Sequence, residues 1–489
     1  MDARDSVMPI YRQSGRWGST AQALMTATTV AAVVVALAGC ATPVHDVGLQ
    51  RVQSITRDHL NKDVAPIRND ADRDAVGGRV AELLRDTLSA DSAVQIALLN
   101  NRGLQTSLFE LGISDADLME ASRLPNPGLT LSRPQSGADL KIEQGLSYSV
   151  ARVLVLPWVA ETERSRSEQM QRAVALDVLT LASDTRKAFY GAVAARETLR
   201  YMEQVKSASE ASAELARRMA QAGNFNALQR AREQAFYADA TLNLARAQHA
   251  NFAARERLTR LLGLWGEQTQ FILPERLPDL PDKSQPPKDI EQRAMAQRLD
   301  VLSAKLGAEK MAKNLGLTRV TRFLNVLDLG LVRKTSDTGR SELGYEVSLE
   351  LPIFDWGEAR IAKAEAFYMQ AVNHAAETAV NARSEVREAY HAYRTAFDIA
   401  KHYRDEIVPV SKRISEENLL RYNGMLIGVF ELLADARSQV ASVNGSIEAL
   451  RDFWLAQSDL DMAMIGKPNL TAMSQSVANP SINSGAPAH

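Results

Sequence analysis

The residue types that carry most enzyme chemistry are scattered along this chain. Seven histidines are dispersed, without the paired His or Cys spacing of a zinc site. Neither a Gly-x-Ser-x-Gly elbow nor a phosphate-binding Gly-x-x-x-x-Gly-Lys loop occurs. The 14 methionines are spread out, which favours packing over metal shuttling. We therefore predict no enzyme activity, no bound metal and no dissociable cofactor.

The only cysteine, Cys40, lies at an informative position. Arg12 and Arg16 precede an uncharged stretch that ends in Leu37-Ala38-Gly39-Cys40. A basic region, an apolar region and small residues at the cut are typical of a secretory signal. Leu-Ala-Gly-Cys has the form of a bacterial lipobox, in which the thiol is acylated. The sequence predicts a signal peptide over 1–39 and a covalent lipid on Cys40. The alternative is an uncleaved membrane helix, but several threonines make the apolar segment too polar to span a membrane well.

Composition indicates helices and argues against one class of partner. Lys and Arg number 57 against 59 Asp and Glu, so the net charge is −2. A nucleic-acid-binding surface is expected to be basic, and we predict no nucleic-acid partner. Aromatic residues make up 6% of the chain, while alanine, leucine and charged residues abound, which favours long helices.

The chain contains two copies of one pattern about 200 residues apart. Asn101-Arg102 corresponds to Gln297-Arg298, and Gln221-Ala222-Gly223 corresponds to Tyr422-Asn423-Gly424. We predict a lipidated segment over 40–89, a first repeat over 90–263 and a Pro-rich linker over 264–289. A second repeat over 290–466 and a disordered tail over 467–489 follow.

Each copy is predicted to contain very long helices. Pro352 and Pro409 bracket a stretch whose apolar residues recur with helical spacing, and the first copy matches it from Ala160 to about Arg218. Alanine fills much of these stripes, as in closely packed helices. Periodicity alone would favour an ordinary coiled coil.

Two predicted hairpins argue for more than a coiled coil. Leu343, Tyr345, Val347, Leu349 and Leu351 alternate with polar residues, and a weaker alternation over 146–151 marks the first copy. Such alternation is typical of a transmembrane β-strand, or of a strand half-buried on a soluble core. Four strands are too few to enclose a lumen, so a pore would require several copies, and three would supply twelve strands.

The segment that joins the last predicted strand to the following long helix resembles a known family motif. The run Pro352, Phe354, Asp355, Trp356 and Gly357 resembles the Pro-x-Phe-Asp-x-Gly signature of the TolC-like outer-membrane factors, lipoprotein branch. Tyr422-Asn423-Gly424 and the run from Leu432 to Arg437 resemble that family's second hallmark. Proline ends a strand, aspartate can cap a helix, and glycine permits a tight turn.

The resemblance implies a mainly α fold with a small β part, assembled as a homotrimer. Four strands and two long-helix repeats per protomer would give a transmembrane β-barrel above a long α-helical barrel. It also implies a lipid-anchored channel of the outer membrane that extends into the periplasm. This channel would be the passive exit duct of a tripartite efflux system for small molecules, drugs or metal ions. Its partners would be a periplasmic adaptor, an inner-membrane pump and outer-membrane lipid.

The resemblance also suggests functional residues. Glu431 and Asp435 are the candidate periplasmic gate, although counting from Gly424 places the family's acidic positions on Phe430 and Leu433. Both side chains could instead face solvent and pair with Arg437. Gly223, Asn423 and Gly424 are the candidate adaptor-facing turns. The alternatives are a lipid-anchored periplasmic coiled-coil structural protein and, within the duct class, a type I protein-secretion duct.

Overall fold

The computed structural model describes residues 47–136, 139–284, 289–321, 327–336, 341–349, 354 and 356–470. The first half of this described chain has the helices and strands α1 Val47–Leu60, α2 Asp70–Leu83, α3 Ala90–Asn100, α4 Arg102–Ala121, β1 Gly128–Ser132, β2 Gln135–Ser136, β3 Asp139–Ser149, α5 Val150–Gln221 and α6 Ala227–Leu262. At ~1.5 Å per residue, α5 alone is about 108 Å long.

The second half repeats the order of two short helices, a hairpin and long helices. A 3₁₀ turn at Gly266–Thr269 opens the connecting segment. The elements that follow are α7 Ile290–Gln297, α8 Leu299–Thr321, β4 Leu327–Ser336, β5 Ser341–Leu349, α9 Glu358–His402, a π-helical turn Tyr403–Ile407, α10 Val408–Asn423 and α11 Val429–Ile465.

Local sequence signals explain where several helices begin and end. Ser89 and Ser92 form a reciprocal capping box at the start of α3, and Asn226 and Gln229 form one at the start of α6. Gly263 ends α6 with φ +66°, a left-handed conformation that glycine adopts without steric cost.

The core joins both repeats through the connecting segment. One cluster packs α2 and α3 against α5 and α6, and a second packs α7 against α9 and α11. Phe271, Leu273 and Leu277 of the connecting segment are buried in the first cluster, and Leu280 is buried in the second. The Pro-rich linker is therefore a packed strap that contributes to both cores.

A buried arginine stabilises the second repeat. Arg298 is 1% exposed; its guanidinium donates to Asp300 and Glu385 at 2.6 and 2.7 Å and to the carbonyls of Ala382 and Ala463. Burial alone would lower the pKa of Arg298, but the hydrogen bonds that its guanidinium donates to both carboxylates, together with their negative charges, outweigh burial, so the pKa is raised. The guanidinium thus stays charged and holds the end of α11 against α9.

The structure shifts one predicted correspondence between the repeats by one residue. Asn101 follows α3 and donates to the Leu261 carbonyl near the end of α6, at 2.9 Å. Arg298 follows α7 and donates to the Ala463 carbonyl near the end of α11. Asn101 therefore corresponds to Arg298, not to Gln297, because both side chains hold the last turn of a long helix.

Two predicted helix boundaries are wrong. The first long helix begins at Val150, not Ala160, and contains Pro157, because β3 ends at Ser149 and passes directly into the helix. The second does not stop at Pro409, because the α-helix changes to a π-helical turn at Tyr403 and resumes at Val408, so Pro409 lies within a continuing helical path.

Candidate functional site

The sheet has one apolar and one polar face. Its strands are antiparallel in the order β1-β3-β4-β5, and β2 pairs with the start of β3. Directly paired residues share a face, so the register assigns the sides. The apolar side carries Leu129, Leu131, Ile142, Leu146, Tyr148, Leu327, Leu329, Leu331, Leu343, Tyr345, Val347 and Leu349. Four polar residues on the same side, Gln144, Arg333, Thr335 and Ser341, lie toward the end of the sheet where β4 turns into β5.

In the single chain the apolar side is exposed, and so is much of the polar side: every residue of β1 and β5 is exposed. Leu343 is 78% exposed and Tyr345 85%, and Leu129 and Leu131 are similarly open. A sheet on a soluble core would bury its apolar face and expose its polar one. The predicted alternation is therefore present, and the soluble-core alternative does not fit it.

The polar side combines small residues with charges. Gly128, Gly145, Gly330 and Gly344 lie on it, which leaves room beside the longer side chains. Its charged residues are Lys141, Glu143, Asp328, Lys334, Glu342 and Glu346. Lys334 pairs with Glu143 at 3.1 Å. Acidic groups thus outnumber basic ones on this face.

Both outer strands leave an open edge in the single chain. β1 pairs with β3 alone and β5 with β4 alone among the described strands. An unpaired strand edge presents N–H and C=O groups that can bind another strand.

The strand-to-helix signature is described only in part. Pro352 and Asp355 lie outside the described residues. Phe354 is 99% exposed and Trp356 is also exposed. Gly357 precedes α9 with φ +79°, a left-handed conformation that favours glycine.

The first predicted turn ends α5 in a Schellman arrangement. The Asn224 N–H donates to the Met219 carbonyl at 2.9 Å, and the Gly223 N–H donates to the Ala220 carbonyl. Gly223 has φ +80°, and a Cβ there would meet nothing within 4 Å. Glycine at this position therefore serves the backbone conformation rather than a close contact.

The second turn differs by one residue from the sequence correspondence. The Leu426 N–H donates to the Arg421 carbonyl at 2.8 Å, which makes Met425 the counterpart of Gly223. Met425 has φ +59° and is 93% exposed, whereas Gly424 has φ −80°. The left-handed position of this turn is thus occupied by methionine, and Asn423 ends α10.

This shift bears on the candidate gate residues Glu431 and Asp435. Counted from Met425 instead of Gly424, the two acidic positions of the family fall on Glu431 and Ala434. Glu431 is exposed in the first turn of α11. Asp435 is half-buried, and its Oδ2 has no hydrogen-bond partner among the described residues.

Arg437 pairs with a residue that the sequence analysis missed. Its Nη2 donates to Glu233 on α6, and its guanidinium lies 4.7 Å from the centre of the Phe236 ring. Glu233 is fully buried and also accepts from Ser212 Oγ of α5 at 2.6 Å. These residues connect the two repeats close to both turns.

The remaining sequence predictions concern the lipidation site, bound metals and membrane-spanning helices. Cys40 lies outside the described residues. Within residues 47–470, excluding the gaps named above, we find neither a cluster of three metal-ligating side chains nor a helix long and apolar enough to cross a membrane.

Solved structures with this arrangement are outer-membrane channels. The Campylobacter jejuni CmeC outer membrane channel has a TM-score of 0.67 at 18% identity, covering 80% of this chain and 88% of CmeC. The open state of the Neisseria gonorrhoeae MtrE outer membrane channel has a TM-score of 0.65 at 20% identity, covering 78% of this chain and 90% of MtrE. The chain therefore has the fold of these channels, and its resemblance to the TolC-like outer-membrane factors is confirmed at the level of the fold.

A sequence relative points the same way. The cobalt-zinc-cadmium resistance protein CzcC of Cupriavidus metallidurans is 23% identical over 287 residues. This match spans 57% of the present chain and 66% of CzcC, just under two thirds of that relative. No protein-family profile matches the chain.

Proposed function

We propose that this protein is the outer-membrane exit duct of a tripartite efflux system. Three copies assemble around one lumen, and small molecules pass through it passively. An inner-membrane pump supplies the energy, and a periplasmic adaptor joins the pump to the duct. A lipid on Cys40 anchors each chain to the outer membrane, and the long helices extend into the periplasm.

The observation that carries this proposal is the exposed apolar face of the sheet. A contiguous apolar surface of this kind is unfavourable in water and marks contact with a partner or a membrane. Strands with one apolar and one polar face are the pattern of outer-membrane proteins, with the apolar side toward lipid. The polar face then lines an aqueous lumen.

The strand order supports closure by several copies. Four antiparallel strands make β1 and β5 run in opposite directions, so β5 of one copy meets β1 of the next in antiparallel orientation. The open edges disappear when the ring closes. Three copies give twelve strands, enough to enclose a lumen that four cannot.

The turns and the acidic residues beyond them form the periplasmic end in this proposal. Gly223, Asn423 and Gly424 face the adaptor, and Met425 joins them because its side chain is 93% exposed. Glu431 contributes the gate. Asp435 is the weaker gate candidate, because one of its oxygens is already buried within the chain.

Metal cations or drugs are the proposed cargo. The name of CzcC associates that relative with cobalt, zinc and cadmium resistance. Acidic side chains on the polar face of the sheet fit a cationic solute, because rings of Asp and Glu favour cations in a pore. A type I protein-secretion duct would use the same architecture, and we expect its polypeptide cargo not to depend on this charge.

Fractionation with unheated gel electrophoresis tests the assignment. The full chain is expected in the outer membrane after carbonate washing and to migrate as a trimer until heated. A lipid-anchored periplasmic structural protein would instead migrate as a monomer after its lipid is removed. That second outcome would contradict the proposed duct.

A further inference from the structure

One face of α9 carries a regular series of polar residues that includes no Lys or Arg. The positions lie three or four residues apart, and those with histidine or carboxylate side chains are His374, Glu377, Glu388, His391, Asp398 and His402. Asn381, Ser384 and Thr395 occupy the positions between them, and Glu406 of the following π-helical turn continues the series. Spacings of three and four keep side chains on one side of an α-helix. These residues therefore form a polar stripe that runs about 42 Å from His374 to His402, at ~1.5 Å per residue.

The basic residues beside the polar stripe are directed elsewhere. Arg387 lies 4.0 Å from Glu291 of α7, and Arg394 donates to Ser284 of the connecting segment at 2.6 Å. A solvated helix face commonly mixes charges of both signs at spacings of three and four. The stripe instead holds three of the seven histidines of the chain together with carboxylates. Asp398 lies at its edge, 3.3 Å from Arg394, so its charge is partly neutralised.

The polar stripe faces away from the layer formed by α7 and the connecting segment. On its other side, roughly half a turn around the helix, α9 buries Val386, Tyr393 and Phe397. These residues pack in one cluster with Leu280 of the connecting segment and Ala294 of α7. Three copies of that second layer would fill the space inside a closed ring of helices. In the proposed trimer the layer therefore lies outside the ring, and the stripe faces the lumen.

Two pairs of side chains on the polar stripe have the separation of metal ligands. His374 Nδ1 lies 3.8 Å from Glu377 Oε2, and His402 Nδ1 lies 3.3 Å from Glu406 Oε2. Two ligand atoms at the usual distance from one tetrahedral Zn²⁺ are about 3.4 Å apart. All four side chains are more than half exposed, so a hydrated cation can reach them.

The ligand types and their number define what such pairs can bind. Imidazole suits divalent cations such as Zn²⁺ and Co²⁺, whereas Mg²⁺ and Ca²⁺ prefer oxygen ligands alone. Each pair supplies two ligands, fewer than a resident site uses, so water must complete the coordination shell. Binding is then weak and reversible, which a passage requires, because an ion must leave each site as readily as it enters.

We propose that the polar stripe of α9 is a relay of weak sites for divalent cations that bind imidazole. His374 with Glu377 and His402 with Glu406 are its two end sites, and His391, three residues after Glu388, lies between them. The inference rests on the proposed duct for its lumen, and it narrows the cargo to this class of cation. Cation binding itself concerns the helix face and does not require a channel.

Visible absorption of Co²⁺ with the purified, untagged full chain tests binding directly. Ligation by imidazole and carboxylate shifts and strengthens the bands of the hydrated ion. We expect this change with the wild-type chain, reversed by Zn²⁺ but not by Mg²⁺. Replacing all three histidines of the polar stripe by alanine should remove most of it. Absence of the change in the wild-type chain would overturn the proposal.

Two further variants control for surface binding and for folding. His59→Ala combined with His249→Ala removes two exposed histidines on α1 and α6, off the polar stripe, and should leave the Co²⁺ spectrum unchanged. An equal loss in this control would contradict the assignment to the stripe. Glu377→Gln combined with Glu406→Gln keeps the side-chain shapes and should weaken Co²⁺ binding several-fold while the trimer still forms on unheated gels. Unaltered Co²⁺ affinity in that variant would contradict both end sites.

Potassium conductance in planar bilayers tests whether the relay lies in the lumen. Zn²⁺ bound along the polar stripe adds positive charge to the lumen, so it should lower the K⁺ conductance more than Mg²⁺ at the same concentration. The triple histidine variant should lose this difference, and the His59 and His249 control should keep it.

The two measurements separate the relay from the duct. If the wild-type chain conducts but Zn²⁺ and Mg²⁺ act alike on its conductance, the relay is contradicted and the duct stands. If Co²⁺ binding follows the polar stripe in every variant but no protein conducts, the binding sites are supported and the duct is contradicted.

Discussion

An arginine placed on the apolar face of the sheet gives a sharp prediction. Leu331 lies in the middle of β4, opposite Leu146 and Tyr345, and is 56% exposed in the single chain. If this face contacts lipid, Leu331→Arg places a charge near the middle of the hydrocarbon layer, which costs about 2–4 kcal/mol per copy. Three copies raise the total to about 6–12 kcal/mol. On a water-exposed surface the same change would lie within about 0.5 kcal/mol.

The neighbouring residue provides the control. Val332 follows Leu331 in β4 but lies on the polar face, so Val332→Arg adds the same charge toward the proposed lumen. A free-energy change of about 1.4 kcal/mol alters an equilibrium constant tenfold. The insertion cost of about 2–4 kcal/mol for Leu331→Arg therefore corresponds to roughly 30-fold to 700-fold less inserted protein per copy. The assay is the amount of heat-sensitive trimer in washed outer membranes, measured on unheated gels. Equal trimer yields for the two variants would refute the assignment of the faces.

Three further predictions follow from individual side chains. Met425→Gly should raise the free energy of unfolding by about 1 kcal/mol, because a left-handed conformation is strained for methionine and not for glycine. Gly424→Ala should have little effect, and equal effects of the two variants in denaturant titrations would contradict this reasoning. Arg298→Met should lower the free energy of unfolding by about 3 kcal/mol, because it leaves two partly buried carboxylates without their partner. An unchanged denaturation midpoint would be incompatible with the cluster. Replacing Asp328 and Glu346 by Asn and Gln should reduce cation preference, measured as reversal potential in a salt gradient, and an unaltered potential would remove both residues from the lumen.

The strands could be predicted because the alternation of apolar and polar residues is visible between neighbours in the sequence. Leu343 to Leu349 carry a period of two, and the structure places these residues on one face. Which face would be exposed did not follow from the alternation, since a soluble core gives the same pattern. Only the absence of burial at Leu343 and Tyr345 distinguishes the two.

Helix boundaries were less predictable, because proline has more than one structural meaning. Pro409 was interpreted as the limit of the second long helix and Ala160 as the start of the first, yet Pro409 lies in the first turn of α10 and Pro157 lies within α5. A π-helical turn has no sequence signature in the apolar periodicity, so the turn before Pro409 could not be predicted.

The residues around the two turns show what sequence spacing misses. Glycines at 223 and 424 suggested equivalent positions, but the backbone bonds make Met425 the counterpart of Gly223. Glu233 and Arg437 are 204 residues apart, and their pairing depends on the packing of α6 and α11 against α5. No local pattern around either residue predicts it.

Single-channel recording of the purified full chain in planar bilayers tests the central claim most directly. Three copies that close one sheet around a polar lumen should produce discrete conductance steps, and Leu331→Arg protein should produce far fewer insertions. A purified trimer that enters the bilayer without any conductance step would contradict the exit duct.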